Sequence, residues 1–420
     1  MTVINYKGVT SRITVQEKPA IEGGKPVRKE PLRFKPWIDD EDIKYVVEVL
    51  RSGQLSAIGG KWNRALEEEV ARYLGVKHAV TVSSGTTALH TALKALGVGP
   101  GDEVITTPFT FAATATTILH SNAIPIFADI DRETLNIDPG EVERAITDRT
   151  RAIIVVHLAG YPAEMDEIMK VAQEHGIYVI EDTAQALGAM YRGRMAGSIG
   201  HVGTLSFYPT KTITTGEGGA VVTNDDEVAR RARLIRSHGE TGKYYYELLG
   251  YNYRMTEFQA VLGYMQLRRI EEIIRRKEAF AKALTEELSA LDNDLLILPR
   301  PKPYIRHAWH LYQVILMTER LRVPRDKVLE ALRAEGIEAV SVAYPIPLHK
   351  EPIIVNRAGH GRGCPWTCPF YGRNVEYRPM PNAEWAAERV ISILVGPLYT
   401  EEDAVDVANA LRKVLNYYRR

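Results

Sequence analysis

Hydrophobic positions along this chain change period several times, and the changes mark out its elements. From Asp40 the apolar residues Ile43, Val46, Val47 and Leu50 recur at i, i+3, i+4 and i+7, the stripe of an amphipathic helix, and Gly53 stands where a C-terminal cap belongs. A second stripe carries Leu66, Val70, Tyr73 and Leu74. Beyond it come seven short apolar runs, HAVTVSS, EVITT, IPIFADI, AIIVVHL, IYVIED, GTLSFY and GAVVTN, with helix-like stretches such as EMDEIMKVAQEHG between several of them. This alternation predicts an α/β domain whose large, mainly parallel seven-stranded sheet is sandwiched by helices.

Residues 256–291 include LRRIEEIIRRKEAFAKALTEEL and predict one long helix, its dense charges forming a solvated face and its length connecting two domains. After LPRPKPYIRH, strand-like AWHLYQVILM and IEAVSVAY accompany helix-like RDKVLEALRAEG and EDAVDVANALRKVL, the pattern of a smaller α+β domain. Residues 1–31 contain IEGGKPVRKEPL and little periodicity, which predicts an extended arm of the kind that lies on a partner subunit. The expected division is an arm at 1–31, a large domain at 32–260, a connecting helix at 261–298 and a small C-terminal domain at 299–420.

Composition narrows the function classes. With 420 residues, 45% hydrophobic and 25% charged, the chain is globular rather than disordered. Its 53 Lys+Arg balance 53 Asp+Glu, so no overall field draws nucleic acid or an anionic membrane, and the expected partners are small molecules. The opening residues lack the apolar core of a signal peptide and no apolar run is long enough to span a bilayer, so the expected location is cytoplasmic. Cys364 and Cys368, in HGRGCPWTCPF, make neither a disulfide framework nor a four-cysteine metal site. Together with His360 they offer three ligands in one Pro- and Gly-rich loop, which reads as packing thiols rather than a metal centre.

Candidate chemistry gathers just after the apolar runs, where ligands bind in open α/β sheets. VSSGTTALHTALKAL passes through Gly85 into a helix, where Thr86, Thr87 and free backbone N–H groups form an anion site suited to phosphate. PFTFAATAT places Phe109 and Phe111 nearby, either able to stack on a flat ring. YVIEDTAQALGA ends a buried strand with Glu181 and Asp182, and Gln185 follows one turn later; a carboxylate buried there needs a partner, and a protonated ring nitrogen suits it. SFYPTKTITTGEGGAVVTND offers the Ser206 hydroxyl and, five residues on, Lys211, whose amine attacks a carbonyl once desolvation or a neighbouring cation lowers its pKa. Phosphate cradle, stacking ring, carboxylate and amine together describe a site for pyridoxal 5′-phosphate.

SSGTTAL, EDTAQALGA, SFYPTKTITTGEGGAVVTND and GYNYRMTEFQAVLG carry a resemblance, over residues 32–420, to the DegT/DnrJ/EryC1/StrS sugar aminotransferases of the fold-type I, aspartate-aminotransferase-like superfamily. The resemblance implies Lys211 as Schiff-base lysine and proton shuttle, Asp182 on the pyridine nitrogen, Gln185 beside the ring and Phe111 stacked on it. Gly85, Thr86 and Ser206 would bind phosphate, with Thr87 able to exchange roles with Thr86. It further implies a homodimer with shared active sites, to which GYNYRM contributes Asn252 or Arg254, and a structural rather than catalytic His157. His349 and the loop 356–374 would shape the acceptor pocket. The implied reaction is ping-pong transfer of an amino group from L-glutamate or L-glutamine to a nucleotide-linked keto-sugar. A cyclitol ketone such as scyllo-inosose and an aminohydroxybenzoate synthase-like reaction are the alternatives. Lys211 argues against the branch of the family that dehydrates sugars with histidine in its place, and a non-catalytic regulatory protein is a further rival.

Overall fold

The structure, a computed structural model, describes residues 17–420. All seven apolar runs become strands of one sheet, in the order His78–Val82, Gly219–Thr223, Val202–Ser206, Tyr178–Asp182, Thr150–Val156, Glu103–Thr106, Ile124–Phe127. Six run in one direction, and Gly219–Thr223 runs against both of its neighbours. Val104, Ile153, Ile154, Val179 and Ile180 are fully buried, which is why these strands read as continuous apolar runs.

Caps explain the helix starts. Asp39 and Asp42 form a capping box on Asp40–Ser52, which ends at the left-handed Gly53 as its sequence predicts. The expected single connecting helix is in fact two, Glu257–Leu267 and Ile270–Leu288. At the break the Arg269 guanidinium turns to pair with Asp39 at 2.6 Å and with Asp42, tying the junction to the start of the earlier helix. The second helix then fastens the domains together. Ile270, Ile273 and Ile274 pack with Leu205 and Phe207 of the large domain, and Phe280, Leu284 and Leu288 pack with Val314 and Leu411 of the small one.

The small domain is built on an antiparallel sheet ordered Leu296–Ile297, Leu311–Leu316, Val390–Leu394, Val340–Ser341, against which the last helix, Glu401–Tyr418, is packed. Residues 17–31 depart from the expected arm, because they lie on this domain of their own chain. The reason is Glu335, whose buried carboxylate accepts from Ala20 N at 2.7 Å, Val27 N at 2.9 Å and Lys413 Nζ at 3.0 Å. Arg28 adds bonds of 2.7 Å to both Asp403 and Asp406. Residues 1–16 of the expected arm fall outside the described residues. Among the described residues no helix is long and apolar enough to cross a membrane.

Candidate active site

A cavity of about 490 Å³ opens at the carboxyl ends of the large sheet, and Gly85, Thr86, Phe111, Asp182, Gln185, Ser206 and Lys211 all line it. Four separate sequence segments therefore converge on one space, as the strand-end rule requires.

The helix start on the cavity wall is built by a cap. Ser84 Oγ accepts from Thr87 N at 3.1 Å and Thr87 Oγ1 accepts from Ser84 N at 3.0 Å, a capping box at the start of Gly85–Ala95. That box engages the Thr87 hydroxyl, and of the two threonines only Thr86 lines the cavity. The amides of Gly85 and Thr86 have no acceptor among the described residues, so the positive end of this helix faces the cavity. Gly85 is required by proximity: a Cβ on it would lie 2.7 Å from Ser206 Cβ. Helix start and Ser206 hydroxyl thus converge on one small volume.

Asp182 ends its strand at 6% exposure, with Oδ2 accepting from Thr114 Oγ1 at 3.0 Å and Oδ1 from Ala184 N at 3.2 Å. Burial raises its carboxyl above the ordinary range, although those two donors and the nearby Lys211 pull it down. The remaining lone pairs of a carboxylate on a cavity wall suit a cationic N–H.

Lys211 sits in a tight loop joining Val202–Ser206 to its antiparallel neighbour Gly219–Thr223. Lys211 N donates to Tyr208 O, and Phe207 pairs with Gly218 and Thr215 across the loop, all at 2.9 Å. Glycine permits the crowding: a Cβ at Gly218 would lie 2.3 Å from Thr215 Oγ1, and one at Gly219 would lie 2.6 Å from both Leu205 O and Ser84 O. Burial pushes the Lys211 amine down to about 8, while the Asp182 carboxylate opposes the shift. Desolvation alone accounts for the depression expected from the sequence.

Gln185 spans the cavity floor. Its Oε1 accepts from Ala159 N and its Nε2 donates to Tyr344 Oη, both at 2.8 Å. Tyr344, on the small domain, ends the run IEAVSVAY, and nothing in the sequence separates it from the other tyrosines. Thr114 lies in the first turn of the helix Ala113–His120 and is buried, and its place three residues after Phe111 is the only sequence signal that could have found it. Of the two phenylalanines, Phe109 is fully buried edge-on to Tyr344, and Phe111 is 64% exposed at the mouth, the position from which a ring can stack.

Three predicted residues lie elsewhere. His349 does not line the cavity: it is buried, with Nε2 3.0 Å from Glu384 Oε1 and its ring beside Phe127, so the expected direct substrate contact is replaced by a packing role. The cause is Glu384, which draws in both His349 and Lys350. Asn252 is exposed, and Arg254 donates to Ser237 Oγ at 3.0 Å; neither reaches the cavity of its own chain. The loop 356–374 packs on the far side, with Tyr371 Oη donating to Glu103 Oε1 at 2.7 Å and His360 Nε2 bonded to Leu119 O at 2.7 Å. Cys364 and Cys368 are both free thiols, and among the described residues no three His, Cys, Asp or Glu side chains are placed to hold a metal. His157 is fully buried, its Nδ1 accepting from Ala163 N at 3.1 Å and its Nε2 donating to Glu181 at 2.8 Å.

The sequence model of the DegT/DnrJ/EryC1/StrS aminotransferase family matches residues 36–412. A UDP-N-acetyl-3-dehydro-α-D-glucosamine 3-aminotransferase from Acidithiobacillus ferrooxidans is 41% identical over 91% of this chain and 96% of its own. GDP-perosamine synthase from Caulobacter vibrioides is 41% identical over 74% of this chain and 84% of its own. Among solved structures, S. venezuelae DesV in complex with a ketimine intermediate superposes with a TM-score of 0.80 at 35% identity, covering 91% of this chain and 98% of that one.

Proposed function

The chain belongs to the DegT/DnrJ/EryC1/StrS aminotransferase family, and on that premise we propose that it uses pyridoxal 5′-phosphate to move an amino group from L-glutamate or L-glutamine to the keto group of a nucleotide-linked sugar. The observation that carries this reading is the convergence on one cavity of Lys211, of Asp182 with unused acceptor capacity, and of a helix start whose amides are free. The names of the two relatives, a UDP-amino-sugar aminotransferase and a GDP-perosamine synthase, support a nucleotide-linked sugar ahead of a cyclitol or a benzoate precursor.

The residues fit the cofactor on three counts: a cradle that a single Cβ at Gly85 would fill, two unpaired amides beside the Thr86 and Ser206 hydroxyls, and a buried carboxylate opposite an amine. Bound there, pyridoxal 5′-phosphate supplies a carbonyl for the amine and an electron sink for the substrate carbanion. Gly85, Thr86 and Ser206 would hold the phosphate through N–H and O–H donors. Asp182 would accept from the ring nitrogen's N–H and favour its protonated form, while Thr114 and Ala184 hold the carboxylate in place. Phe111 would cover one ring face and Gln185 would border the ring. The Lys211 amine, which burial lowers to about 8, would take a proton from the donor's α-carbon and later deliver one to the acceptor carbon. The donor leaves as a 2-oxo acid and the acceptor ketone becomes an amine.

Asn252 and Arg254 complete the site of a second copy in this reading. Support comes from their position outside their own cavity and from the hairpin before them, where Tyr244, Tyr245, Tyr246 and Leu249 are all exposed, as a surface covered by another subunit would be.

The test is an absorption spectrum of the purified protein, with pyridoxal 5′-phosphate added if needed, before and after excess L-glutamate or L-glutamine. A near-visible band that shifts with the amino acid, and does not shift in Lys211→Ala, supports the reading and leads to a screen of keto-sugars. No bound chromophore, or a shift unaffected by the substitution, rules it out.

A further inference from the structure

A second cavity, of about 400 Å³, lies between the two domains and shares no lining residue with the first. Its large-domain wall comes from the turn at Leu135 and from Leu158, Ala159 and Tyr161; its small-domain wall comes from Ile297 and Ile315, a cross-strand pair of the antiparallel sheet. Most of the lining is apolar, and the volume falls within the range of small-molecule sites, which favour domain interfaces.

Two polar side chains, each more than nine-tenths buried, line this slot with hydrogen-bonding capacity that nothing in the chain uses. His307 is 7% exposed, and its Nδ1 accepts from Trp309 N at 2.8 Å, so the neutral ring carries its proton on Nε2. That Nε2–H has no acceptor among the described residues. Burial, helped by the nearby Lys277, pushes the imidazole down to about 3, so it remains a neutral donor. Gln313 is 8% exposed, and its Nε2 donates to Ser392 Oγ at 3.2 Å while its Oε1 has no donor among the described residues. At the mouth, the exposed Arg132 lies 5.0 Å over the Trp385 ring and gives only Nε to Asn382. The Arg132 guanidinium has no carboxylate partner among the described residues, whereas Arg300 on the same rim is paired with Asp292.

We propose that this interdomain slot is a second small-molecule site, taking a ring-bearing organic acid whose ring hydroxyl meets His307 and Gln313 and whose carboxylate meets Arg132. A ring hydroxyl satisfies both orphan groups at once, accepting from His307 Nε2–H and donating to Gln313 Oε1. The ring fills the apolar slot between Leu135 and Ile297. A carboxylate takes the free N–H groups of Arg132, the fork geometry that guanidinium favours. The slot also touches the active site through its wall, since Ala159, which lines it, donates to Gln185.

The probe is 4-hydroxybenzoate, titrated calorimetrically into the purified protein with and without added pyridoxal 5′-phosphate, with its 3-iodo derivative soaked into crystals. Saturable binding at one per chain is expected, with iodine located between Ile297 and Trp385. Arg132→Gln should weaken it about tenfold or more, as loss of a charge-assisted bond does. Ile297→Trp, which fills the slot, should abolish it, and benzoate, which lacks the hydroxyl, should bind more weakly than 4-hydroxybenzoate. Absence of millimolar binding, iodine found only in the other cavity, or an affinity unchanged by Arg132→Gln would each overturn the proposal. Arg132 is a surface residue, so that arm stands even if Ile297→Trp misfolds. No turnover is read, so the result is separate from the transaminase reading.

Discussion

Glu181 and Asp182 leave consecutive positions of one strand and meet opposite surroundings. Glu181 accepts from His157 Nε2 and Gly197 N at 2.8 Å, Ile199 N at 2.7 Å and Gly200 N at 2.6 Å. Burial works to raise its carboxyl, but the His157 bond and the backbone amides outweigh it and hold the group below its ordinary value. Asp182 faces the other side of the sheet with only two donors, and burial raises it. One acid is therefore complete within the fold, and the other is left to bind something.

Asp182→Asn should leave the protein folded and weaken cofactor binding by roughly 10- to 100-fold, the worth of a hydrogen bond to a charged group. Fluorescence titration of the apoprotein with pyridoxal 5′-phosphate measures this, and an unchanged affinity would remove Asp182 from the site.

Thr114→Val tests the support of that carboxylate. Losing the 3.0 Å bond leaves Asp182 Oδ2 without a donor, at a cost of about 1–3 kcal/mol in apoprotein stability. Urea denaturation of the apoprotein reads this directly, and a change below a few tenths would mean that water takes over the bond.

Gly85→Ala places a Cβ 2.7 Å from Ser206 Cβ. The strain should cost about 1–3 kcal/mol of stability, and the shift of Ser206 should raise the dissociation constant for the cofactor. An affinity equal to that of the parent would show that Ser206 gives way without moving the phosphate site.

Lys277, on the helix Ile270–Leu288, is 1% exposed and has no carboxylate partner among the described residues. Burial, with Lys211 adding to it, lowers the amine to about 7, against about 10.4 in an unfolded chain. Below pH 7 both states hold the proton and the burial penalty is present in full; between pH 7 and 10.4 only the unfolded state holds it, so stability rises with pH across that window. Lys277→Met should therefore stabilise the apoprotein at pH 6.5 by on the order of a few kcal/mol, with the gain fading towards pH 10.5. A variant less stable than the parent at pH 6.5 would mean that a polar partner holds the charged amine.

Strand content and the residues that meet at the cavity were legible in the sequence because both rest on local signals. Apolar runs without alternation name buried parallel strands, and the polar residues after them land at one sheet edge whatever the details of packing. The choice between Thr86 and Thr87 depended on a capping geometry that both residues satisfy in sequence. Tyr344 and His349 lie five residues apart on the small domain, and which one reaches Gln185 is decided by how two domains meet. No periodicity records that. The break at Arg269 was hidden for the same reason, because its cause is a pair of carboxylates some 230 positions earlier.

The reversed strand Gly219–Thr223 has a consequence for motion. The loop carrying Lys211 leaves the sheet and returns to the adjacent place in it, so the amine and Asp182 ride on one rigid frame. Tyr344 rides on the other domain and meets that frame through Gln185. If the two domains hinge, the amine and the carboxylate keep their mutual distance and only the tyrosine changes position. Such an arrangement divides the cavity into a fixed part and an adjustable wall, and ligands of different shape would be accommodated at the wall.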